Sequence, residues 1–292
     1  MAKSNLKVKK QASTANLKVV DKNAIKTTAY SDINLNDWRN YDHVKTDTLW
    51  EFPTRLKEGG HSNEYHGNYI PQIAQQIYER YTKQDDIVLD MFFGSGTSGI
   101  EAINMKRRCI GVELKEDLAE SVSEKFTPKQ LVTDVNIICA DSASEIAKEK
   151  IKARLDIMGR KQAQLLMLHP PYDDIIKFSD KKEDLSNCSS TEEFYDLFEK
   201  VAKNGYDMLE KGRFACLIIG DKYANSQHIP LGFECMARMN KLGFITKAII
   251  IKDMQGNERA KGKTANLWRY RALAGGFYIF KHEYVMVFQK VK

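Results

Sequence analysis

The chain has 292 residues, 42% of them hydrophobic, with a formal net charge of +6. That length suits one large domain with a sizeable core, and no apolar run approaches the ~18 residues that span a bilayer. The Lys-bearing start, MAKSNLKVKKQASTANLKVV, lacks the continuous apolar core of a secretory signal, so a cytoplasmic protein with no membrane partner is expected.

Charge is unevenly placed. The first thirty residues hold seven of the 45 basic residues but only one of the 39 acidic ones, Asp21. The whole basic excess therefore sits in a polar stretch rich in Ser, Thr and Asn. This composition predicts a disordered basic arm over residues 1–40, either solvated or lying along a polyanion, followed by one catalytic domain over 41–292. Residues 41–68 look irregular, with a turn at Gly59-Gly60. PQIAQQIYERYT (71–82) has a helical apolar face at 73, 77, 78 and 81. IVLDMFF (87–93) reads as a buried strand, SGIEAINM (98–105) as a helix and CIGVEL (109–114) as a strand. Then come a helix over 115–126, strand 135–141, an amphipathic helix to about 158, strand 163–169 and a long helix over 191–212. Strand 213–221, a helix around 231–241 and strands 244–253 and 283–290 complete the series.

This alternation predicts an α/β fold with a doubly wound, mostly parallel seven-stranded sheet, its last strand antiparallel. Residues 254–281 have no clear period, and a segment that long in a compact domain is functional or disordered. The five cysteines form no C-x-x-C pair. Cys109, Cys139 and Cys216 lie in apolar strands, which predicts buried, reduced thiols and no metal site.

In such a sheet, ligands bind beyond the carboxyl ends of the strands. The first strand ends in Asp90-Met91-Phe92-Phe93-Gly94-Ser95-Gly96-Thr97. The glycines allow a tight turn and close approach of a ligand. A Walker loop is excluded, because no Lys follows the glycines. Glu113 closes the next strand about twenty residues on, where a carboxylate accepts from a ribose diol. Asp141-Ser142 close the third strand, and Asp141 can accept from an adenine amino group. His169-Pro170-Pro171-Tyr172 close the fourth.

These residues resemble a known family. VLDMFFGSGTSGIEA is similar to the S-adenosylmethionine loop of the DNA amino-methyltransferases, D-P-F-x-G-S-G-T. HPPY resembles their catalytic tetrapeptide, (D/N/S)-P-P-(Y/F/W). HGNYIPQIAQQIYERYT, around Pro71, resembles the segment that closes over the methionine end of the cofactor, and KHEYVMVFQK resembles their last strand. Met91 and His169 depart from the pattern. The resemblance covers residues 48–292 and implies a Rossmann-like class I methyltransferase fold. It also implies S-adenosylmethionine as cofactor, held by Asp90, Phe92, Gly94, Ser95, Gly96, Thr97, Glu113, Asp141, Ser142 and Pro71. The expected reaction is site-specific methyl transfer to N6 of adenine or N4 of cytosine in DNA, with His169, Pro170, Pro171 and Tyr172 as the catalytic set.

The chemistry of HPPY fits that role. An exocyclic amine is a poor nucleophile because its lone pair is delocalised into the ring. Acceptors aimed at both N–H groups oppose that delocalisation. They are the His169 ring and, by resemblance, the Pro170 carbonyl. The prolines hold the backbone rigid and end the strand. Tyr172 can stack on a base that has left its helix. No cysteine follows a proline, as the thiolate chemistry of ring-carbon methylation would need.

Lys252, Arg259, Lys261, Lys263, Arg269 and Arg271, interleaved with Trp268 and Tyr270, suit contact with nucleic acid over 252–280. An RNA substrate, or a catalytically silent relative that binds nucleic acid, is compatible with the same motifs. A homodimer and a companion restriction endonuclease are partners that the resemblance also allows.

Overall fold

The structure is a computed structural model and describes residues 25–61, 67–126, 134–254 and 265–291. The expected alternation is present. In chain order it runs β1 (Leu49–Trp50), α1 (Pro71–Tyr81), β2 (Ile87–Asp90), α2 (Thr97–Asn104), β3 (Arg108–Glu113), α3 (Glu116–Phe126), β4 (Val135–Cys139) and α4 (Glu145–Ile157). It continues with β5 (Ala163–Leu168), α5 (Thr191–Met208), β6 (Leu209–Ile219), β7 (Lys222–Ala224), β8 (Gln227–Ile229), α6 (Leu231–Lys241), β9 (Phe244–Asp253), α7 (Ala265–Gly275) and β10 (His282–Lys290).

The sheet has eight strands rather than seven, in the order β1-β9-β10-β6-β5-β2-β3-β4. Seven of these were legible. The extra one, β1, adds to the edge parallel to β9, pairing Leu49 with Ile251 and Trp50 with Lys252. Two residues are too few to show an alternation. Within this sheet, among the described residues, only β10 runs antiparallel, to both β6 and β9.

The winding is double because apolar residues alternate along each strand. On one face Val88, Cys109, Leu165 and Cys216 pack against Ile73, Ile77 and Tyr78 of α1, Ala102 of α2 and Val122 of α3. On the other, Leu89, Ile110, Leu166 and Leu217 pack against Ile151 of α4, Phe198 of α5 and Cys235 of α6. Strand order reverses between β2 and β5, which are neighbours, so a crevice opens above their carboxyl ends. The GSG loop and the HPPY segment leave the sheet at those two ends.

Three boundaries differ from expectation. Residues 25–40, assigned to the arm, include a 3-10 helix over Leu35–Asn40. Tyr30 there packs edge-on to Phe214 with ring centroids 4.8 Å apart. Residues 1–24 lie outside the described residues. Helix α5 stops at Met208 and β6 begins at Leu209, because Leu209 faces the core while Gly212 takes φ +84°. The aperiodic 254–281 segment contains α7. A helix with exposed Tyr270 and Leu273 has no single apolar face to reveal it.

All five cysteines are free, and Cys109, Cys216 and Cys235 are buried. Among the described residues no cluster of metal-binding side chains occurs, and no helix is long and apolar enough to cross a membrane.

Candidate active site

A cavity of ≈ 740 Å³ lies over the crevice and joins both motifs. Its size is within the range of about 300–1,000 Å³ usual for small-molecule sites.

One half is built from β2, β3 and β4. Phe92, Gly94, Thr97, Glu113, Asp141 and Ser142 all line it. Gly94 takes φ +52° and Gly96 φ +90°, so the loop turns tightly into α2. Gly111 makes room for this turn, since a Cβ there would sit 2.2 Å from the Phe93 ring. Glu113 is 8% exposed. Its two oxygens accept from the backbone N–H groups of Gly94 and Lys115, each at 2.9 Å. Burial nevertheless pushes its carboxyl above the usual range. Each oxygen thus accepts one backbone N–H and keeps further acceptor capacity. Asp141 accepts from Ala143 N–H at 2.9 Å and is likewise raised by burial. A buried diacceptor flanked by a second carboxylate fits the ribose hydroxyls and amino group of a nucleoside cofactor.

Four of the residues assigned to the cofactor stand behind this wall: Asp90, Ser95, Gly96 and Pro71 are not among the cavity-lining residues. Asp90 points inward. It accepts from Phe92 N–H at 2.9 Å and from the Ser98 hydroxyl. Burial lifts its carboxyl to about 6 despite those two bonds. Pro71 starts α1 at the position where its missing N–H costs nothing; its neighbours Asn68, Tyr69 and Ile70 line the cavity.

The other half is the strand end His169-Pro170-Pro171-Tyr172, all of it lining the cavity. His169 is partly buried. Burial, helped by the Lys252 and Arg55 charges and opposed by Glu283, lowers its imidazole to about 4. It is therefore neutral at physiological pH, with one ring nitrogen free to accept. Tyr69 packs edge-on against it, with centroids 5.3 Å apart. The Tyr172 hydroxyl donates to Glu283 at 2.8 Å. Gly67–Ile70 and Ile175, Ile176 and Phe178 complete the cavity lining.

The DNA methylase family model matches residues 2–124 and 163–292. The chain belongs to the DNA methylase family. The matched segments run through both motifs and the last strand. Among curated relatives, a probable type III restriction-modification enzyme HindVI Mod subunit from Haemophilus influenzae is 34% identical over 87 residues, 28% of this chain and 12% of that protein. The type II methyltransferase M.SmaI from Serratia marcescens is 47% identical over 79 residues, 27% of this chain and 26% of that protein. The matches thus span about a quarter or less of these relatives. A solved structure, TrmN from Thermus thermophilus, is 15% identical with a TM-score of 0.48, covering 77% of this chain and 50% of that one.

The basic residues of this DNA methylase fall into three groups. Arg259, Lys261 and Lys263 lie outside the described residues. Trp268, Arg269 and Arg271 lie on α7; Arg269 and Arg271 are exposed, and the Arg271 guanidinium sits 5.3 Å over the Trp268 ring. Lys252 is not a surface cation: it is 2% exposed and paired with Glu283 at 3.0 Å. Strand β9 carries it into the cavity wall, because Lys252 and Glu283 face each other across the β9–β10 ladder.

Sequence reasoning missed that pair, and it missed Tyr69, Gly220, Asp173 and Lys222. Asp173 adopts φ +53° and accepts from Lys222 Nζ at 2.5 Å and Thr191 at 2.7 Å. These bonds pin the backbone directly after Tyr172 and offset the strain of its left-handed conformation. The lysine closing an otherwise apolar strand, IIIKD, was the available signal for Lys252.

Proposed function

We propose that the protein is a DNA methyltransferase that moves a methyl group from S-adenosylmethionine to an exocyclic amino nitrogen, N6 of adenine or N4 of cytosine, of a flipped-out base. The observation that carries this reading is the single cavity that joins the GSG loop, Glu113 and Asp141 to His169-Pro-Pro-Tyr172. The cofactor, when bound, supplies a methyl group on a sulfonium that leaves as a neutral thioether.

Each side chain then has a task. Glu113 accepts the ribose hydroxyls and Asp141 the adenine amino group. Phe92 and the turn at Gly94 supply an apolar edge and close backbone approach. At the other end His169, neutral with its pKa near 4, accepts one N–H of the target amine, and the Pro170 carbonyl accepts the other. Both bonds strengthen as the nitrogen becomes tetrahedral, which is where transition-state stabilisation arises. An imidazole that titrates this low does not retain a proton at neutral pH, so His169 acts as an acceptor while the released proton goes to water. Tyr172 offers its ring to the extruded base.

Trp268, Arg269 and Arg271 on α7, together with Arg259, Lys261 and Lys263, are proposed to meet the nucleic acid. Met254 and Phe280, which flank the segment bearing them, line the cavity. Modification within a restriction system, with a companion endonuclease, is the setting we infer from the names of the relatives.

The test is nucleoside analysis of DNA and total RNA from cells expressing the parent or His169→Ala. N6-methyladenine or N4-methylcytosine in the parent's DNA alone supports the reading. Modification of RNA instead would move the activity to that substrate. No methylated base of either kind, from a protein that binds the cofactor, would refute it.

A further inference from the structure

A histidine used as an acceptor has a difficulty that an Asp or a Ser does not. Its two nitrogens share one proton, and only the bare one can accept. Something must decide which nitrogen is bare.

The structure contains a chain of polar groups that decides it. The ammonium of Lys252 lies 3.0 Å from Glu283 Oε1. Glu283 is 7% exposed and Lys252 2%, so this is a buried pair, with the glutamate a carboxylate that can only accept. The Tyr172 hydroxyl gives its one proton to Glu283 Oε2 at 2.8 Å. The Tyr172 oxygen then has only lone pairs to offer His169, whose Nε2 lies 3.4 Å from it. A nitrogen meeting a lone pair must bring the proton itself.

We propose that Lys252, Glu283 and Tyr172 form a positioning relay that holds His169 as its Nε2–H tautomer and leaves Nδ1 as the acceptor for the target amine. This deepens the methyl-transfer reading and rests on it. The direction of the relay is set by charge at its far end. A neutral group at 283 able to donate to Tyr172 would free the hydroxyl proton for Nε2 and move the imidazole proton to Nδ1. Acceptor would become donor, facing a donor.

The relay is held in place from three sides. A Cβ on Gly220 would sit 2.9 Å from Tyr172 Cε2, so a glycine is what lets the tyrosine ring lie there. Asp173, which follows Tyr172, is anchored by Lys222 and Thr191. Tyr69 packs edge-on to the imidazole at 5.3 Å and limits its swing. The charges facing His169 are Glu283, Lys252 and Arg55.

The deciding experiment is long-range nitrogen-15 NMR of the imidazoles in the cofactor-free protein, with the His169 signals assigned by their loss in His169→Asn. The parent should show a protonated Nε2 and a bare Nδ1. Tyr172→Phe keeps the ring and removes the hydroxyl; Glu283→Gln keeps the shape and removes the charge. Both should lose the Nε2–H preference. Both should also slow single-turnover methyl transfer by about tenfold, the equivalent of one hydrogen bond, with cofactor affinity unchanged. A parent protonated at Nδ1, or two variants with the parent's tautomer and rate, would overturn the relay. Failure of the methyl-transfer reading is distinguishable, because it would appear as a parent with the expected tautomer that methylates no nucleic acid.

Discussion

His169→Asn makes the electrostatics of the site measurable without any substrate. An imidazole in solution titrates near ~6.5, whereas that of His169 titrates at about 4. In mild acid the unfolded chain takes up a proton that the folded chain refuses. The stability linked to this group is fully present above pH ~6.5 and is lost as pH falls toward its folded value. Between pH ~7.5 and ~5 the loss is roughly 2 kcal/mol. Asp90 works in the opposite sense. Its folded carboxyl titrates at about 6 against an ordinary ~3.9, so the folded chain binds that proton first. Over the same interval Asp90 restores about 1 kcal/mol. The parent's stability should therefore vary little from these two groups. The Asn variant keeps the Asp90 gain and sheds the histidine loss. Urea unfolding of both proteins at the two pH values isolates the histidine as a difference of differences of roughly 2 kcal/mol. Parallel pH dependences would refute the burial-depressed titration of His169.

Three further outcomes are expected. Glu113→Ala should weaken S-adenosylmethionine binding by roughly 1.5–3 kcal/mol in calorimetry; a folded variant with unchanged affinity would remove Glu113 from the cofactor site. Gly220→Ala should displace the Tyr172 ring and slow methyl transfer ten- to a hundredfold with cofactor binding intact, whereas a parent-like rate would show that the ring position is not critical. Replacing Arg269 and Arg271 by Ala should lower the log–log salt dependence of DNA binding by about 0.9 per lost phosphate contact, and an unaltered slope would take α7 out of the interface.

What could be read from the sequence follows from how local each feature is. Buried parallel strands announce themselves as apolar runs, and the acids and prolines that end them mark the binding edge. Glu113, Asp141 and His169 were singled out this way and all line the cavity. Asp90 ends its strand in the same manner, yet its carboxylate turns back to Ser98, because side-chain direction at a strand end depends on the loop that follows. Lys252 was read as a surface cation because a lysine among basic and aromatic residues resembles a phosphate contact. Its burial depends on Glu283, thirty-one residues later and antiparallel in the sheet, and no local pattern carries that pairing. Tyr69 and Gly220 are defined only by what touches them, so they too emerge only from the assembled fold.

The contacts of Asp90 also reach toward His169. Its carboxylate accepts from Ser98; Ser98 in turn is bonded by the Tyr69 hydroxyl at 2.5 Å; and the Tyr69 ring lies edge-on to His169. This path connects the base of the GSG loop to His169 through α2 and the segment before α1. It separates into a polar link and a packing link. Tyr69→Phe cuts only the first and should cost about 0.5–1.5 kcal/mol of stability, since Ser98 keeps Asp90 as partner and the ring stays against His169. Tyr69→Ala removes both and opens a cavity beside the imidazole, at roughly 3–5 kcal/mol. If ring packing is what aims His169, single-turnover transfer should be near the parent's in the Phe variant and at least tenfold slower in the Ala variant, measured at saturating cofactor on protein shown to be folded. Equal slowing in both would assign the aim to the hydrogen bond instead. An Ala variant as fast as the parent would mean that His169 is held by Tyr172 alone.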